Sequence, residues 1–325
     1  MKVKVLITCL FLSGCSATGM SNSSVVEREL ARIHDITSAP NLETVPWIHG
    51  AQRCETSKQP TLDVFKHDSR STIIRQNKCL TFEAPFSYVL EGNDKILVID
   101  TGALPDVVDF SYAQALRAVL GKAAFETKET IVIHSHSHSD HHQGDSGFRV
   151  LQNTQVISSN MTQVQNFVGV SNWPNGQYQL DLGERLITIL PTPGHQEEAI
   201  TVFDHKNKWL ITGDTLYPGL VYVKDWEAYK QSIAKLVKFA QQNDVKYILG
   251  GHIEMTKTHG EYYPIGSTYQ PNEAPLPLSV VDLYALNEAL QRSENEQQII
   301  LKSFVIQPMS LLQKSIHNIF RWVTN

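Results

Sequence analysis

The sequence predicts a single α+β domain in which layered sheets are covered by helices. Three observations carry that expectation. Short β-rich runs and helical stretches are intermixed along the chain. Neither an internal repeat nor an interdomain linker divides the 325 residues. The composition is globular, 42% hydrophobic and 19% charged, which argues against a disordered, collagen-like or coiled-coil chain. A chain of this length can bury a full core without staples. Its net charge of −5, with no cluster of Lys or Arg, leaves no electrostatic footprint for nucleic acid.

At the N-terminus, Lys2 and Lys4 flank and precede a short apolar run over 5–12. That run is too short to span a bilayer as a helix, so it reads as an export signal. It ends in Leu12-Ser13-Gly14-Cys15, which resembles the lipobox of bacterial lipoproteins. The resemblance implies cleavage before Cys15, lipidation of Cys15 and firm membrane anchorage. With Ser16 following, it also implies the periplasmic face of the outer membrane in a Gram-negative host. An ordinary secretory signal is the alternative. The expected organisation is a signal peptide at 1–14, a tether at 15–24, an N-terminal extension at 25–60, a main domain at 61–275, and a C-terminal helical extension at 276–325 packed on it. Cys9 would leave with the signal. Cys54 and Cys79 then remain as an even pair in an oxidising compartment, so a disulfide is expected, with two buried free thiols as the alternative. Neither sits in a spacing typical of Cys-ligated metal.

Along the rest of the chain, 25–36 has helical apolar spacing. Strands are expected at 62–65, 72–75, 87–90 and 96–99, followed by a helix over 107–120. Further strands are expected at 130–133, 155–157, 186–190, 200–203, 209–212 and 247–249, with a helix over 225–242 between the last two. At the C-terminus, Met309, Leu312, Ile316, Ile319, Phe320 and Val323 form a helical apolar stripe, expected to cover the sheets rather than to meet a membrane or partner.

The chemistry is concentrated in His134-Ser-His136-Ser-His138-Ser-Asp140-His141-His142, which holds five of the 13 histidines. The run directly follows the apolar strand at 130–133, so it occupies a strand-end loop. Two His separated by one residue point the same way on an extended backbone and can grip one ion, while an adjacent Asp and His can turn toward a second. A compositional His/Ser tract is the alternative, but such tracts favour tails and linkers.

His136-x-His138-x-Asp140-His141 resembles the HxHxDH motif of the metallo-β-lactamase superfamily, and the rest of that family's pattern follows in order. Pro191-Thr-Pro-Gly-His195, Gly213-Asp214 and Gly250-Gly251-His252 each close an expected strand. The resemblance covers about 61–260. It implies a four-layer αββα sandwich with two metals in a cleft at one sheet edge. By position, His136, His138 and His195 would hold the first ion, Asp140, His141 and His252 the second, and Asp214 would bridge them. Asp100, in Val98-Ile-Asp-Thr-Gly102, resembles the family's buried Asp that orients a ligand His, with a simple turn Asp as the alternative. His134 and His142 fall outside the pattern and are read as strand-end and loop residues. Where the family has two Gly soon after its last motif His, this chain has Gln143-Gly144.

Imidazole and carboxylate ligands suit two zinc ions, with iron or manganese as alternatives. Two such ions can share a hydroxide that attacks a small-molecule ester, lactone, thioester or related bond, with Asp140 as the catalytic residue that orients it. A β-lactamase and a non-catalytic zinc-binding surface lipoprotein are the alternatives. β-Lactamases of this superfamily put no Asp at the bridging position, and its nuclease branch inserts a domain where only 37 residues separate Asp214 from His252. The diiron oxidoreductase branch has Glu where this chain has His138. Gly213-Asp-Thr-Leu-Tyr217 resembles the glyoxalase II stretch, although basic residues for a glutathione carboxylate are not evident. Tyr217, Tyr222, Trp226, Tyr262 and Tyr269 lie just beyond ligands and are candidate pocket walls, with ordinary packing as the alternative. The expected partners are therefore a small molecule and, through the lipid, a membrane. Protein partners are left open.

Overall fold

The computed structural model describes residues 29–34, 41–107, 110–169 and 172–314. The lipobox ending at Cys15, the tether and the apolar stripe beyond Lys314 lie outside them. A seven-stranded sheet runs in the order β1 (Ala31–His34), β2 (Leu62–Asp68), β3 (Ser71–Gln76), β4 (Phe86–Glu91), β5 (Lys95–Ile99), β6 (Glu129–Ile133) and β7 (Thr154–Val156). The facing sheet comprises β8 (Tyr178–Asp181), β9 (Leu186–Pro191), β10 (Ile200–Asp204), β11 (Trp209–Gly213) and β13 (Tyr247–Gly250), in the order β13-β11-β10-β9-β8. A small third sheet joins β12 (Leu220–Val223), β15 (Val305–Pro308) and β14 (Ile299–Ile300), with β15 central.

The layering follows from the period of two along each strand. On β5, Leu97 and Ile99 enter the dry core between the sheets, where they join Phe65, Phe86, Ile189, Val202 and Trp209. Ile96 and Val98 point the other way, onto α1 (Tyr112–Leu120), α2 (Lys122–Thr127) and α3 (Asp145–Arg149) through Leu116, Phe125 and Phe148. The outer face of the second sheet, including Phe203, Leu210 and Ile248, is covered by α5 (Trp226–Gln242) and α6 (Val280–Arg292). The four layers are thus helix, sheet, sheet and helix, as the αββα expectation required. Strands buried on both faces read as continuous apolar runs, and Ile131-Val132-Ile133 is one.

Polar ties lock one sheet to the other. The Tyr88 hydroxyl donates to the Gly250 carbonyl (2.6 Å), Phe86 N–H to the Gly251 carbonyl (2.8 Å) and Ile200 N–H to the Ser135 carbonyl (2.9 Å). Farther off, buried Arg185 makes a two-pronged pair with buried Asp204 (3.0 and 2.6 Å) and donates to the Arg70 and Glu91 carbonyls and the Ser71 hydroxyl. A Cys54–Cys79 disulfide closes a separation of 25 residues. No described helix is long and apolar enough to cross a membrane.

Several expectations are corrected. Within 25–36 the described residues 29–34 hold strand β1 (Ala31–His34) and no helix, and β1 runs parallel to β2. Arg32 and His34, two apart, both reach the buried Asp63 carboxylate (2.6 and 2.9 Å), so a tertiary ion pair overrides the helical spacing. The helix expected over 107–120 begins at Tyr112, because Val107 pairs with Phe110 in an isolated bridge. The C-terminal 276–325 is not wholly helical. Its strand β15 pairs in parallel with β12 and ties the extension into the domain. The helix α4 (Met161–Val168) and strands β8 and β12 were not expected at all.

The Arg185 pair gives a direct test of how the sheets are held. Arg185→Ala leaves Asp204 charged, buried and unpaired, so urea unfolding should show a loss of about 3–5 kcal/mol. A loss under about 1 kcal/mol would contradict that reading of the pair.

Candidate metal centre

Strand direction explains why the candidate ligands meet. In the second sheet, β10 is antiparallel to both β9 and β11, and β11 is parallel to β13. The three strands β9, β11 and β13 therefore end on one side and deliver His195, Asp214 and His252. From the first sheet, β6 ends beside them and delivers His136, His138, Asp140 and His141. Two glycines make the close approach possible. A Cβ on Gly213 (φ +51°) would lie 2.3 Å from Ser135 Cβ, and one on Gly251 would lie 2.5 Å from Asp214 Oδ1 and 2.9 Å from His141 Cε1.

The structure brings all seven sequence-derived candidates together in two clusters that could each hold a metal ion. His136, His138, His195 and Asp214 form one, and Asp140, His141 and His252 the other. In the first, the rings of His136, His138 and His195 stand edge-on with centroids 4.5–4.7 Å apart. In the second, Asp140 Oδ2 lies 3.3 Å from His141 Nε2 and 3.2 Å from His252 Nε2. Asp214 faces both. Its Oδ2 is 3.8 Å from Nε2 of His136 and of His195, while its Oδ1 is 3.6 Å from His141 Nε2 and 3.5 Å from His252 Nε2.

The ligand rings are held from behind. Asp100, at φ +66° after β5, takes its hydrogen bonds from Ser135 N–H (2.7 Å), the Ser135 hydroxyl (2.8 Å) and His141 Nδ1 (2.8 Å). The Ser135 hydroxyl is also 3.1 Å from His136 Nδ1. His195 Nδ1 meets the Tyr222 carbonyl (2.7 Å), and His252 Nδ1 the Glu83 carbonyl (2.9 Å). Each of these four histidines thus spends Nδ1 on the protein and keeps Nε2 for the cluster. Two buried atoms at the centre, His136 Nε2 and Asp214 Oδ1, have no hydrogen-bond partner. Orphaned polar atoms in a buried site are costly, and each of these turns a lone pair toward one of the two clusters, where a cation would satisfy it. The residues therefore fit a metal centre.

The electrostatics divide the clusters in the same way. Burial, reinforced by His141 and His138, pushes His136 well below the usual imidazole range, and burial also lowers His195. In the other cluster burial acts in the same sense but loses to the carboxylates. Asp140, Asp100 and Asp214 lift His141 well above its ordinary value, and Asp214 with Asp140 lifts His252 to about 9. Burial would raise Asp140 and Asp214, yet the histidines opposite hold both below the carboxylate range. A metal entering this second cluster must displace protons. Next to it, burial raises Glu83 to about 7.

The sequence profile of the Metallo-beta-lactamase superfamily matches residues 80–252, which span all seven candidates. The chain belongs to the metallo-beta-lactamase superfamily. Acyl-coenzyme A thioesterase MBLAC2 of Gallus gallus is 24% identical over 217 residues, which cover 56% of this superfamily member and 76% of that protein. Hydroxyacylglutathione hydrolase of Bdellovibrio bacteriovorus is 23% identical over 226 residues, covering 68% and 84%. Among solved structures, a metallo-beta-lactamase from Pontibacter korlensis is similar with a TM-score of 0.47 at 16% identity, covering 71% of this chain and 100% of that one. The superfamily and its hydrolase relatives make the protein a metallohydrolase.

Sequence reasoning missed the groups that hold the ligands by backbone carbonyls, Tyr222 and Glu83, because any residue type can supply a carbonyl. It also missed Ser135 and two residues after His195. Glu198 accepts from Ser137 N–H (3.1 Å), and Gln196 meets His138 (2.7 Å). Of the candidate pocket walls, Tyr217 is buried with its hydroxyl on the Leu220 carbonyl (2.9 Å), and Trp226 is core. Tyr222 and Tyr262 remain partly open, with Tyr262 40% exposed.

His134 lies apart from both clusters but is not an idle strand-end residue. Its buried ring bridges the Ile157 carbonyl (3.0 Å) and Asp145 Oδ1 (2.8 Å). His134→Ala should leave metal content at the wild-type value while lowering unfolding stability by about 2–4 kcal/mol. Metal loss without a shift of the urea midpoint would make His134 a ligand instead.

Proposed function

We propose that this superfamily member is a dinuclear zinc-dependent hydrolase that cleaves a thioester or closely related acyl bond of a small molecule. The observation that carries the proposal is the placement of Asp214, one oxygen toward His136 and His195 and the other toward His141 and His252. A carboxylate so placed suits a bridge between two ions. Imidazole with carboxylate suits zinc, and iron or manganese would accept the same donors. Two divalent ions, when bound, supply Lewis acidity and an activated water at neutral pH.

The chain's own residues have distinct tasks. His136, His195, His141 and His252 present Nε2 with the ring fixed by a hydrogen bond at Nδ1. Asp140, with Oδ2 beside His141 and His252 and a side chain 18% exposed, is the group placed to orient the attacking water and receive its proton. The acyl preference is supported by relatives named for thioester chemistry, the thioesterase and the hydroxyacylglutathione hydrolase.

Asp214→Asn keeps the shape and removes the charge. Metal analysis should show loss of one of two equivalents, and turnover should fall roughly 100-fold or more. Full occupancy with full rate would end the bridging assignment. The substrate class is read from a panel of thioesters, esters, lactones, phosphodiesters and β-lactams given to metal-loaded protein lacking residues 1–15. Turnover of the β-lactam alone would overturn the acyl preference. We also propose that the chain is exported and lipid-anchored through Cys15, on the strength of the Leu12–Cys15 motif. Labelled fatty acid should enter the native protein and be lost in Cys15→Ala. Retention of label in that variant would sink the anchor.

A further inference from the structure

His138 is oriented differently from the other four histidines of the centre. Its Nδ1 faces inward, 3.1 Å from His195 Nε2, and its Nε2 meets the Gln196 amide instead. A neutral imidazole carries one proton, and a metal needs the bare nitrogen. For His138 to offer Nδ1, the proton must sit on Nε2 and must have an acceptor. For the other four rings the fixing group is a carboxylate, a hydroxyl or a backbone carbonyl at Nδ1. For His138 the group at the outward nitrogen is Gln196, whose amide lies 2.7 Å from Nε2.

We propose that Gln196 is the positioning residue that decides which nitrogen of His138 faces the metal. Its side chain is 1% exposed, so its reach is set by packing. The segment that carries it is stitched to the motif loop on both sides of His136. Ile200 N–H donates to the Ser135 carbonyl (2.9 Å), and Ser137 N–H donates to Glu198 Oε1 (3.1 Å). His195 itself, one residue earlier, is held through Nδ1 by the Tyr222 carbonyl. Gln196 is therefore presented to His138 by a frame that also fixes the neighbouring ligand. With the amide nitrogen toward Nε2, the amide donates and the His138 proton belongs on Nδ1. Rotating the amide by half a turn brings Oε1 there as acceptor, moves the proton to Nε2 and frees the Nδ1 lone pair. An amide can serve both states because it carries a donor and an acceptor on one planar group. Metal entry and amide rotation are thus coupled through this side chain.

The inference rests on the metal-binding reading of the centre, and its test separates the two. Wild type, Gln196→Glu and Gln196→Met are titrated with zinc against a chromophoric chelator, and their histidine ring nitrogens are followed by nitrogen-15 NMR with and without zinc. Gln196→Glu keeps an acceptor, so its zinc affinity should stay within about threefold of wild type. Gln196→Met keeps the length and removes the acceptor, so affinity should fall roughly 10–100-fold. In zinc-loaded wild type, the His138 proton should be found on Nε2, and in zinc-free wild type on Nδ1. Unchanged affinity in Gln196→Met would overturn the proposal while leaving the metal centre intact. A His138 proton on Nδ1 in the zinc-loaded protein would overturn it as well, and this readout needs no variant to fold. Wild type that takes up no zinc would remove the ground for both readings.

Discussion

The centre depends on the register between two sheets that share no strand. Four loops supply its seven candidate ligands, one from the first sheet and three from the second. No single loop carries enough donors to hold both clusters, so everything rests on how the end of β6 sits against the ends of β9, β11 and β13. The dry core fixes the spacing of the layers but is tolerant of sliding, because apolar contact is not directional. The directional contacts remove that freedom. Phe86 N–H to Gly251, Tyr88 to Gly250 and Ile200 N–H to Ser135 all lie within a residue or two of a ligand. They are short backbone-anchored bonds in a place where water is excluded, which is where such bonds are strongest.

The energetic character of the site follows from that burial. Five imidazoles and two carboxylates are packed with little access to water, and each group shifts its neighbour. The result is a division of labour in which burial favours the neutral form of His136 and His195 while the carboxylates draw protons to His141 and His252. Such an arrangement is poor as a plain structural core. His136 Nε2 and Asp214 Oδ1 would be better replaced by apolar atoms if stability alone were at stake. Their retention in the interior fits a centre completed by cations.

Much of this was legible in the sequence, and the reasons differ by feature. Strands such as Ile131-Val132-Ile133 announce themselves because burial on both faces leaves no room for polar residues. The candidate ligands were legible as a set because each follows such a strand and because metal binding would restrict residue type to a few. Cys54 and Cys79 were legible as a pair from their even count once Cys9 and Cys15 are set aside with the expected signal. What stayed hidden depends on partners distant in sequence. The strand β1 is set by Asp63 binding Arg32 and His34, and no local spacing records that. The strand β15 looked like part of a helical tail because its pairing partner β12 lies more than 80 residues earlier. The carbonyls of Tyr222 and Glu83 are beyond any reading of side chains. Ser135 and Gln196 sit next to motif residues, yet only the folded rings show which nitrogen each must serve.

Asp100 has a consequence of its own. It touches His141 directly and reaches His136 through the Ser135 hydroxyl, so a single carboxylate stands behind one imidazole of each cluster. The two halves of the centre therefore share a rear wall as well as the Asp214 front. A change in the basicity or tilt of either ring is transmitted to the other through three hydrogen bonds, without passing through the cavity between them. In thermodynamic terms the clusters are linked variables: substitutions placed one in each half will not combine additively.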